Sequence, residues 1–385
     1  MWPSGQRAGL DPASWDALAG SCFYSSSAWL EFCGRDPSGV VGAVHAEAGG
    51  GMAAVPVADI GSEPMEYYRW HELLAGYGLP APAPAGLLVG PRRGYQTHLL
   101  ASPGVAPQQA AGLLLDRLLQ LRDEVGAGLP RPGSCIAMYV TTPDVIALRR
   151  AGVRTVPVLL DADAWIPVPD GGWNAWLAGL PRGRRWNARH EAKLFREAGY
   201  TVTRTTLLES YSMLAPVWAP NQVRYGHPAD VDVLTEKLRV QAEAMGSAAQ
   251  VLLCRRGDDD PVGFCLFYQW RDTVFMRIAG FDYARLRGVA EYFNVSCYAH
   301  VERAPETGIR QIHAGIKSIE AKALRGARLR PLWLLDLSDD SLLLGHDEAI
   351  RRHNSSRYQE LSGSSPAVHA AMDHQEWLPF CDQAS

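Results

Sequence analysis

Residues 309–337, IRQIHAGIKSIEAKALRGARLRPLWLLDL, decide how the chain is read. A strand-like run at 309–313 precedes a short segment of helical spacing at 318–324 and a leucine-rich run at 329–337, so the stretch reads strand, short helix, strand. Gly326 stands where a helix C-cap belongs. Working backward, a helix is expected from about 288 to 303, a strand at 274–279, and a hairpin of 251–255 with 262–270 across Gly257-Asp258-Asp259-Asp260. Helical segments at 173–177, 182–198, 207–219 and 231–245 come before that hairpin.

The first half runs through the same elements. Ser25–Ser27 can cap a short helix containing Trp29, Leu30 and Phe32. Two β-like runs at 40–45 and 52–57 join across Gly49-Gly50-Gly51. A Pro/Gly/Ala stretch at 76–94 reads as a long surface loop. A leucine-rich helix at 108–124, a strand at 135–140, a short helix at 143–150 and a strand at 153–160 complete the half. One central strand lacks a clean partner, with 98–101 the weak candidate. The order fits a duplicated α/β (α+β) unit with mixed sheets flanked by helices, rather than a doubly wound parallel sheet, which needs βα alternation from its start. The expected division is an N-terminal domain at 1–160, a C-terminal catalytic domain at 161–338, and a polar helix with a loose tail at 339–385.

At 385 residues the chain is long enough for two domains. Its 47% hydrophobic and 20% charged residues exclude a disordered, collagen-like or disulfide-framework chain. A net charge of −4 excludes a wholly basic nucleic-acid coat and leaves room for local patches. No apolar run reaches the ~18 residues of a membrane helix. The opening residues MWPSGQRAGLDP lack a basic n-region followed by an apolar h-region, so no signal peptide is expected. Cysteines at 22, 33, 135, 254, 265, 297 and 381 form an odd set without a CxxC pair, so reduced cytoplasmic thiols are expected and a zinc site is not.

Chemistry is expected in three places. In PRGRRWNARHEAKLFR (181–196), Arg182, Arg185, Arg189, Lys193 and Arg196 recur every three or four residues and form one stripe on a helix. Pro181 suits the first helical position, which puts Arg182, Arg184 and Arg185 in the first turn. Cations there oppose the helix dipole by roughly 0.3–1 kcal/mol each unless an anion offsets them. The stripe fits a phosphate-rich ligand, and a solvated basic face satisfies the same spacing. In GFDYARLRGVA (280–290), Arg285-x-x-Gly288-x-Ala290 follows a strand and opens a helix. Its free backbone N–H groups suit a pyrophosphate or terminal phosphate, with Arg285, Arg287 and Gly288 on the donor side. In HAGIKSIEAKALRGARLR (313–330), Lys322 lies four residues before Gly326, where it can donate to an oxyanion or a phosphate, and Arg325 adds a donor-side cation. Ordinary surface basic residues fit there too. Segments 181–204 and 310–330 each carry +5, which leaves −14 on the rest of the chain.

Other signals carry less. His190-Glu191 lacks the second His of HExxH, and no GxSxG elbow or Walker loop occurs. Asn294-Val295-Ser296 falls inside an expected helix. Lone cysteines read as small buried hydrophobes. Trp165, Trp173 and Trp176 read as core, while Trp29 and Trp70 lie near loops that can line a cleft. With Arg92 they are the acceptor-side candidates, and the loop 76–94 is expected to cover that site.

The sequence resembles GNAT-like proteins with two tandem acyltransferase folds, related to the Fem-type peptidoglycan-bridge aminoacyltransferases. The resemblance rests on Phe23-Tyr24-Ser25…Trp29-Leu30, on the Arg-rich helix ending Glu197-Ala198-Gly199-Tyr200, on Tyr292-Phe293-Asn294, and on Gly315…Glu320-Ala321-Lys322…Arg325-Gly326-Ala327…Pro331-Leu332. It spans nearly the whole chain and is strongest over about 180–335. It implies two tandem GNAT-like folds and attack of an amine on an activated acyl group held where two neighbouring strands splay apart. Proximity then supplies much of the rate. The splay is expected between 274–279 and 309–313, with Asp282, Tyr292 and His313 as base candidates and Lys317 or Lys322 as donor. Both lysines compete because the surrounding residues depart from the Fem pattern, and the Fem coiled-coil arm has no counterpart. The implied reaction moves an aminoacyl group from aminoacyl-tRNA to an amine of a small-molecule or peptide acceptor, in cell-wall or secondary-metabolite biosynthesis. It needs no cofactor beyond that co-substrate and no metal. The alternative donor is acyl-CoA, because Arg285-x-x-Gly288-x-Ala290 resembles the phosphate-binding turn of CoA-using GNAT enzymes. A non-catalytic binding protein on the same fold is the third reading.

Overall fold

The computed structural model describes residues 11–48, 50–125, 133–257 and 259–382. Gly49 and Asp258 of the two expected turns lie outside these, as do residues 1–10 of the opening segment. The chain forms two compact units, Met1–Asp163 with Arg330–Ser385, and Ala164–Leu329.

Along the first half the strands are β1 (Gly39–Ala48), β2 (Gly51–Ile60), β3 (Gly86–Val89), β4 (Leu100–Ala101), β5 (Ser134–Thr141) and β6 (Val158–Pro167). The second half supplies β7 (Tyr200–Thr206), β8 (Gln250–Arg256), β9 (Gly263–Trp270), β10 (Thr273–Phe281), β11 (Gln311–Gly315) and β12 (Arg328–Asp336). Helices flank mixed sheets in both units. β1 and β2 form the expected hairpin in continuous register, β2 runs antiparallel to β3, and β3 runs parallel to β5. The crossover between the parallel pair is the helix Pro107–Val125, which buries Ala110, Ala111, Leu114 and Leu118 at helical spacing. The second unit repeats this pattern, with β8–β9 and β9–β10 antiparallel and β10–β11 parallel.

The closing strands do not follow chain order. β6 comes after β5 in sequence, yet its last residues, Ala164 to Pro167, pair antiparallel with β11 in the second unit. β12 comes after β11, yet it pairs antiparallel with β5 in the first unit. β6 begins at Val158 rather than at 153. The expectation for 76–94 is also corrected, because this stretch holds β3, the missing central strand, while β4 is a two-residue side pairing on β2. Gly86 is there for close approach: its φ is +151°, and a Cβ would lie 2.3 Å from the Ser134 carbonyl oxygen on β5. After Val89 the chain threads alongside β5, where Thr97 N donates to Tyr139 O (2.9 Å) and Thr97 Oγ1 to Met138 O (2.6 Å). A Cβ on Gly90 would come within 2.0 Å of Thr97 Oγ1. Residues 90–97 therefore fill the space beside β5 and do not form a cover. β7, a polar edge strand, escapes the sequence reading because Thr-Val-Thr-Arg-Thr-Thr has no hydrophobic signal.

The tail is not loose. The helix Asp347–Gly363 and the short helices Pro366–Ala371 and His374–Trp377 bury Ile350, Val368 and Trp377 in the first unit. Asn354, fully buried, ties them down: its Oδ1 accepts from Leu159 N, and its Nδ2 donates to Pro157 O and Phe380 O, each at 2.8 Å. Asn354→Ala leaves those buried backbone groups unpaired and is expected to cost about 2 kcal/mol or more. Urea denaturation followed by circular dichroism measures this, and an unchanged midpoint would show that the tail does not support the first unit.

Candidate functional site

The ladder between β10 and β11 consists of Thr273↔Gln311, Val274↔Ile312 and Phe275↔His313, and there it stops. β10 bulges against β9 between Met276 and Ile278, and β11 is irregular against β6 between His313 and Gly315. β10 runs on to Phe281, so the two parallel strands part beyond Phe275 and His313, at the position expected for the splay. His313 lies on that last paired row. It is fully buried, with its ring 4.9 Å from Trp165 and 5.3 Å from Phe275, the neighbours in the same row.

Two lysines follow β11. Lys317 is exposed on the connecting loop. Lys322 is buried on the helix Ile319–Ala323, and its Nζ donates to Ala314 O (2.5 Å) and Gly315 O (3.1 Å), the carbonyls at the strand's end. The two lysines therefore differ in burial, and Lys322 is bonded to the carbonyls at the end of β11. Ser318 (φ +54°) and Ala290 (φ +58°) hold left-handed backbone immediately before the helices that follow β11 and β10, a conformation that non-glycine residues rarely adopt.

Arg325 is engaged in the fold. Its Nη2 donates to both oxygens of Glu191 (2.9 and 2.8 Å), Nε to Tyr298 Oη (2.9 Å) and Nη1 to Ala321 O (2.9 Å), while its plane lies over Phe293. Tyr298 Oη donates in turn to Glu191. Tyr298 ends the π-helical segment Asn294–Tyr298, the widened turn that carries its ring toward Glu191. This lock fastens the basic helix Arg182–Glu197 to the helical segment after β10.

The basic helix buries Ala188, Ala192 and Phe195 and presents Arg182, Arg184, Arg189, Lys193 and Arg196 to solvent. Pro181 is its N-cap rather than its first helical residue. Lys193 pairs with Glu197 (3.6 Å) and Arg196 with Glu302 (3.7 Å), exposed pairs that contribute little. Among the described residues no carboxylate pairs with Arg182, Arg184 or Arg189. Arg185 is half-buried and donates to Ala178 O and Leu180 O at 3.2 Å each, so it braces the turn before the helix.

The turn after β10 is self-contained. Asp282 accepts from Ala284 N (3.2 Å), and its carbonyl accepts from Arg285 N (3.0 Å), which makes it a turn residue in this arrangement. The backbone N–H groups expected to cradle a phosphate already donate to Glu291, which is buried. Arg287 N (2.7 Å) and Gly288 N (3.1 Å) reach Oε1, and Val289 N (3.0 Å) reaches Oε2. The sequence reading missed Glu291, although an acidic residue at the first position of the helix was the available signal. Arg285 and Arg287 are exposed, and with Arg256 and Asp259 they line a polar cleft of about 290 Å³. Burial pushes the Tyr292 phenol up, so it holds its proton at neutral pH and suits donation rather than base work.

The acceptor-side candidates are corrected. Trp29 and Trp70 are core residues of the first unit, at 0% and 1% exposure. Arg92, at 1%, is clamped by Glu63 (2.8 Å) and Ser38 (2.5 Å). Their positions beside loops suggested a cleft, but apolar bulk and ion pairing draw all three inward. All seven cysteines are unpaired, and burial pushes the thiols of Cys254 and Cys265 up to about 12, which makes them poor nucleophiles. Among the described residues no helix is long and apolar enough to cross a membrane, and no cluster of three or more His, Cys, Asp or Glu residues is present.

Burial, aided by the Arg303 and Arg204 cations, pushes the His300 imidazole down to about 3. The folded chain keeps it neutral, whereas the unfolded chain takes up a proton near pH 6.5. Its contribution to stability is therefore complete above about pH 6.5 and is lost as pH falls toward 3, by at most about 1.4 kcal/mol per pH unit. His300→Gln is expected to lose less stability than wild type between pH 7 and pH 5 in urea titrations. An equal loss in both would assign the pH dependence to other groups.

No protein-family model matches the chain, and no curated protein sequence matches it. Its fold is similar to solved structures at low identity. FemX superimposes with a TM-score of 0.57 at 12% identity, covering 85% of this chain and 96% of that one. L-PGS from Bacillus licheniformis gives 0.52 at 14%, covering 86% and 93%. A conserved protein of unknown function from Bacteroides thetaiotaomicron gives 0.53 at 13%, covering 86% and 98%. The fold is that of FemX, as the resemblance to Fem-type proteins implies.

Proposed function

We propose that this Fem-fold protein is an acyltransferase that forms an amide, moving an aminoacyl group from aminoacyl-tRNA to an amine of a small-molecule or peptide acceptor. The observation that carries the choice of donor is Glu291. Its carboxylate occupies the N–H groups of residues 287–289, where a CoA-using relative would hold a pyrophosphate. A CoA pyrophosphate would have to displace a buried carboxylate from three charge-assisted hydrogen bonds and leave it buried beside a second anion. Arg182, Arg184 and Arg189 on the basic helix have no carboxylate partner among the described residues and can track an RNA backbone. Aminoacyl-tRNA is a cytoplasmic co-substrate, and the reaction needs no further cofactor.

In this reading the acyl carbonyl enters where β10 and β11 part. The amine attacks the ester carbonyl of the aminoacyl-tRNA, a C–N bond forms, and the C–O bond to the terminal ribose breaks. Lys322 supports the tetrahedral oxyanion from the end of β11. His313, on the last paired row, takes the amine proton in this reading. The FemX likeness supports the fold on which this chemistry is proposed, and the motif at 315–332 supports the role of Lys322.

The second reading, acyl-CoA as donor, draws on the cleft lined by Arg256, Arg285 and Arg287. The two readings separate in solution. Charged tRNA should shift the protein in a gel, with affinity falling steeply as salt rises. Millimolar CoA alone should leave the thermal midpoint unchanged, and a rise would favour the second reading. The double variant Arg182→Glu/Arg189→Glu should abolish transfer from tRNA, and full activity there would remove the basic helix from the mechanism. Lys322→Met should lower kcat about 100-fold or more with the fold intact by circular dichroism. Wild-type turnover in that variant would refute the oxyanion role.

A further inference from the structure

Trp186 is an anomaly for a globular surface. It is 64% exposed, although the chain's other tryptophans include five that are almost completely buried. Packing does not explain it, because the buried side of its helix is formed by Ala188, Ala192 and Phe195. Its indole lies flat on the His190 imidazole one turn further along, with ring centroids 4.9 Å apart and planes 16° from parallel. His190 thereby packs on the ring, and most of the side chain's surface stays open to solvent. Residues 182, 186, 189 and 193 recur at helical spacing, so the indole interrupts the stripe of Arg182, Arg189 and Lys193. A flat aromatic face inside a row of cations matches a strand that offers stacked bases and phosphates together. A duplex conceals its base faces, so the exposed ring favours a single strand.

We propose that Trp186 is a stacking platform for a nucleobase of the single-stranded, acyl-bearing end of the donor RNA, with Arg182, Arg189 and Lys193 holding the flanking phosphates. This rests on the tRNA reading above and goes beyond it by assigning a base-contacting residue. Stacking tolerates any base, so Trp186 fixes the position of the RNA end rather than its sequence. The adenine of CoA is the other source of a stackable base and is separated by the test.

The full-length protein is titrated into an unstructured, fluorescein-labelled twelve-nucleotide RNA ending in CCA, at several salt concentrations. A matched RNA carries 2-aminopurine at its terminal base. Trp186→Ala is expected to weaken binding at least about fivefold with the salt slope unchanged, and to abolish the 2-aminopurine quenching seen with wild type. Trp186→Phe is expected to restore most of both. Arg189→Ala is expected to reduce the salt slope by about 0.7 while quenching persists at saturation. Unchanged affinity and quenching in Trp186→Ala would overturn the proposal, as would competition by CoA but not by unlabelled RNA. If wild type binds no RNA and uses no charged tRNA, the tRNA reading falls and the stacking platform falls with it. If wild type transfers from charged tRNA while Trp186→Ala binds RNA normally, only the platform falls.

Discussion

A parallel ladder that ends at Phe275 and His313 is the constraint on which the second unit depends. Two parallel strands that stay paired have no room between them for a ligand. Two that part expose backbone groups which must find other partners, since an unpaired buried polar group costs about 1–3 kcal/mol. The chain meets that cost with neighbouring groups. Lys322 takes the Ala314 and Gly315 carbonyls at the end of β11, and the bulge at Met276–Ile278 lets β10 keep its bonds to β9 while turning away from β11. The first unit repeats the arrangement, with β3 and β5 parallel only as far as Val89 and Ala137. There residues 90–97 supply the missing partners, so the equivalent space is filled by the chain itself. The two units thus differ in what satisfies the carbonyls beyond the ladder: a lysine side chain in one and the Thr97 backbone and side chain in the other.

Electrostatics divides the second unit's cations into engaged and available groups. Arg325 is neutralised by Glu191 and packed on Phe293, and its removal would leave a partly buried carboxylate without its ion pair. The N–H groups of residues 287–289, an anion site by backbone geometry, hold Glu291. Arg182, Arg184 and Arg189 lie on the exposed helix with no such partner among the described residues. The exposed helix thus carries three cations without a carboxylate partner among the described residues, and the Glu191–Arg325–Tyr298 lock fixes that helix in place. The lock explains why a basic stripe with an unfavourable first turn can form a stable helix: tertiary contacts along its buried side outweigh the dipole penalty.

Much of this was legible in the residues. The hairpins, the crossover helix Pro107–Val125 and the short helix bearing Lys322 all follow from hydrophobic period and caps, whereas a splay between 274–279 and 309–313 is what the family resemblance implies. What escaped has physical causes. β3 is four residues long in a Pro/Gly-rich setting, and Gly86 reads as a turn residue unless its contact with Ser134 is known. Trp29, Trp70 and Arg92 lie next to loops in sequence, but inward burial is decided by neighbours distant along the chain. Gly288 announced an anion site correctly, yet the anion is the Glu291 side chain three residues on, and spacing alone does not distinguish a bound phosphate from an internal carboxylate.

Pairing order is the deepest of these omissions, because it concerns the path of the chain. Each half presents its elements in the same order, and the natural inference closes each sheet with the strand that comes next. The structure instead gives β12 to the first unit and the end of β6 to the second. Every local signal is satisfied by either arrangement, since both strands are apolar, preceded by a short helix and antiparallel to a central strand. Exchange makes β5 wait for a strand that lies beyond the whole of Ala164–Leu329. The entropy of closing so long a loop grows only logarithmically with its length, so the native state tolerates the arrangement at modest cost. The folding route bears the larger burden: until β12 pairs with it, β5 lacks its native antiparallel partner, a contact of long sequence separation.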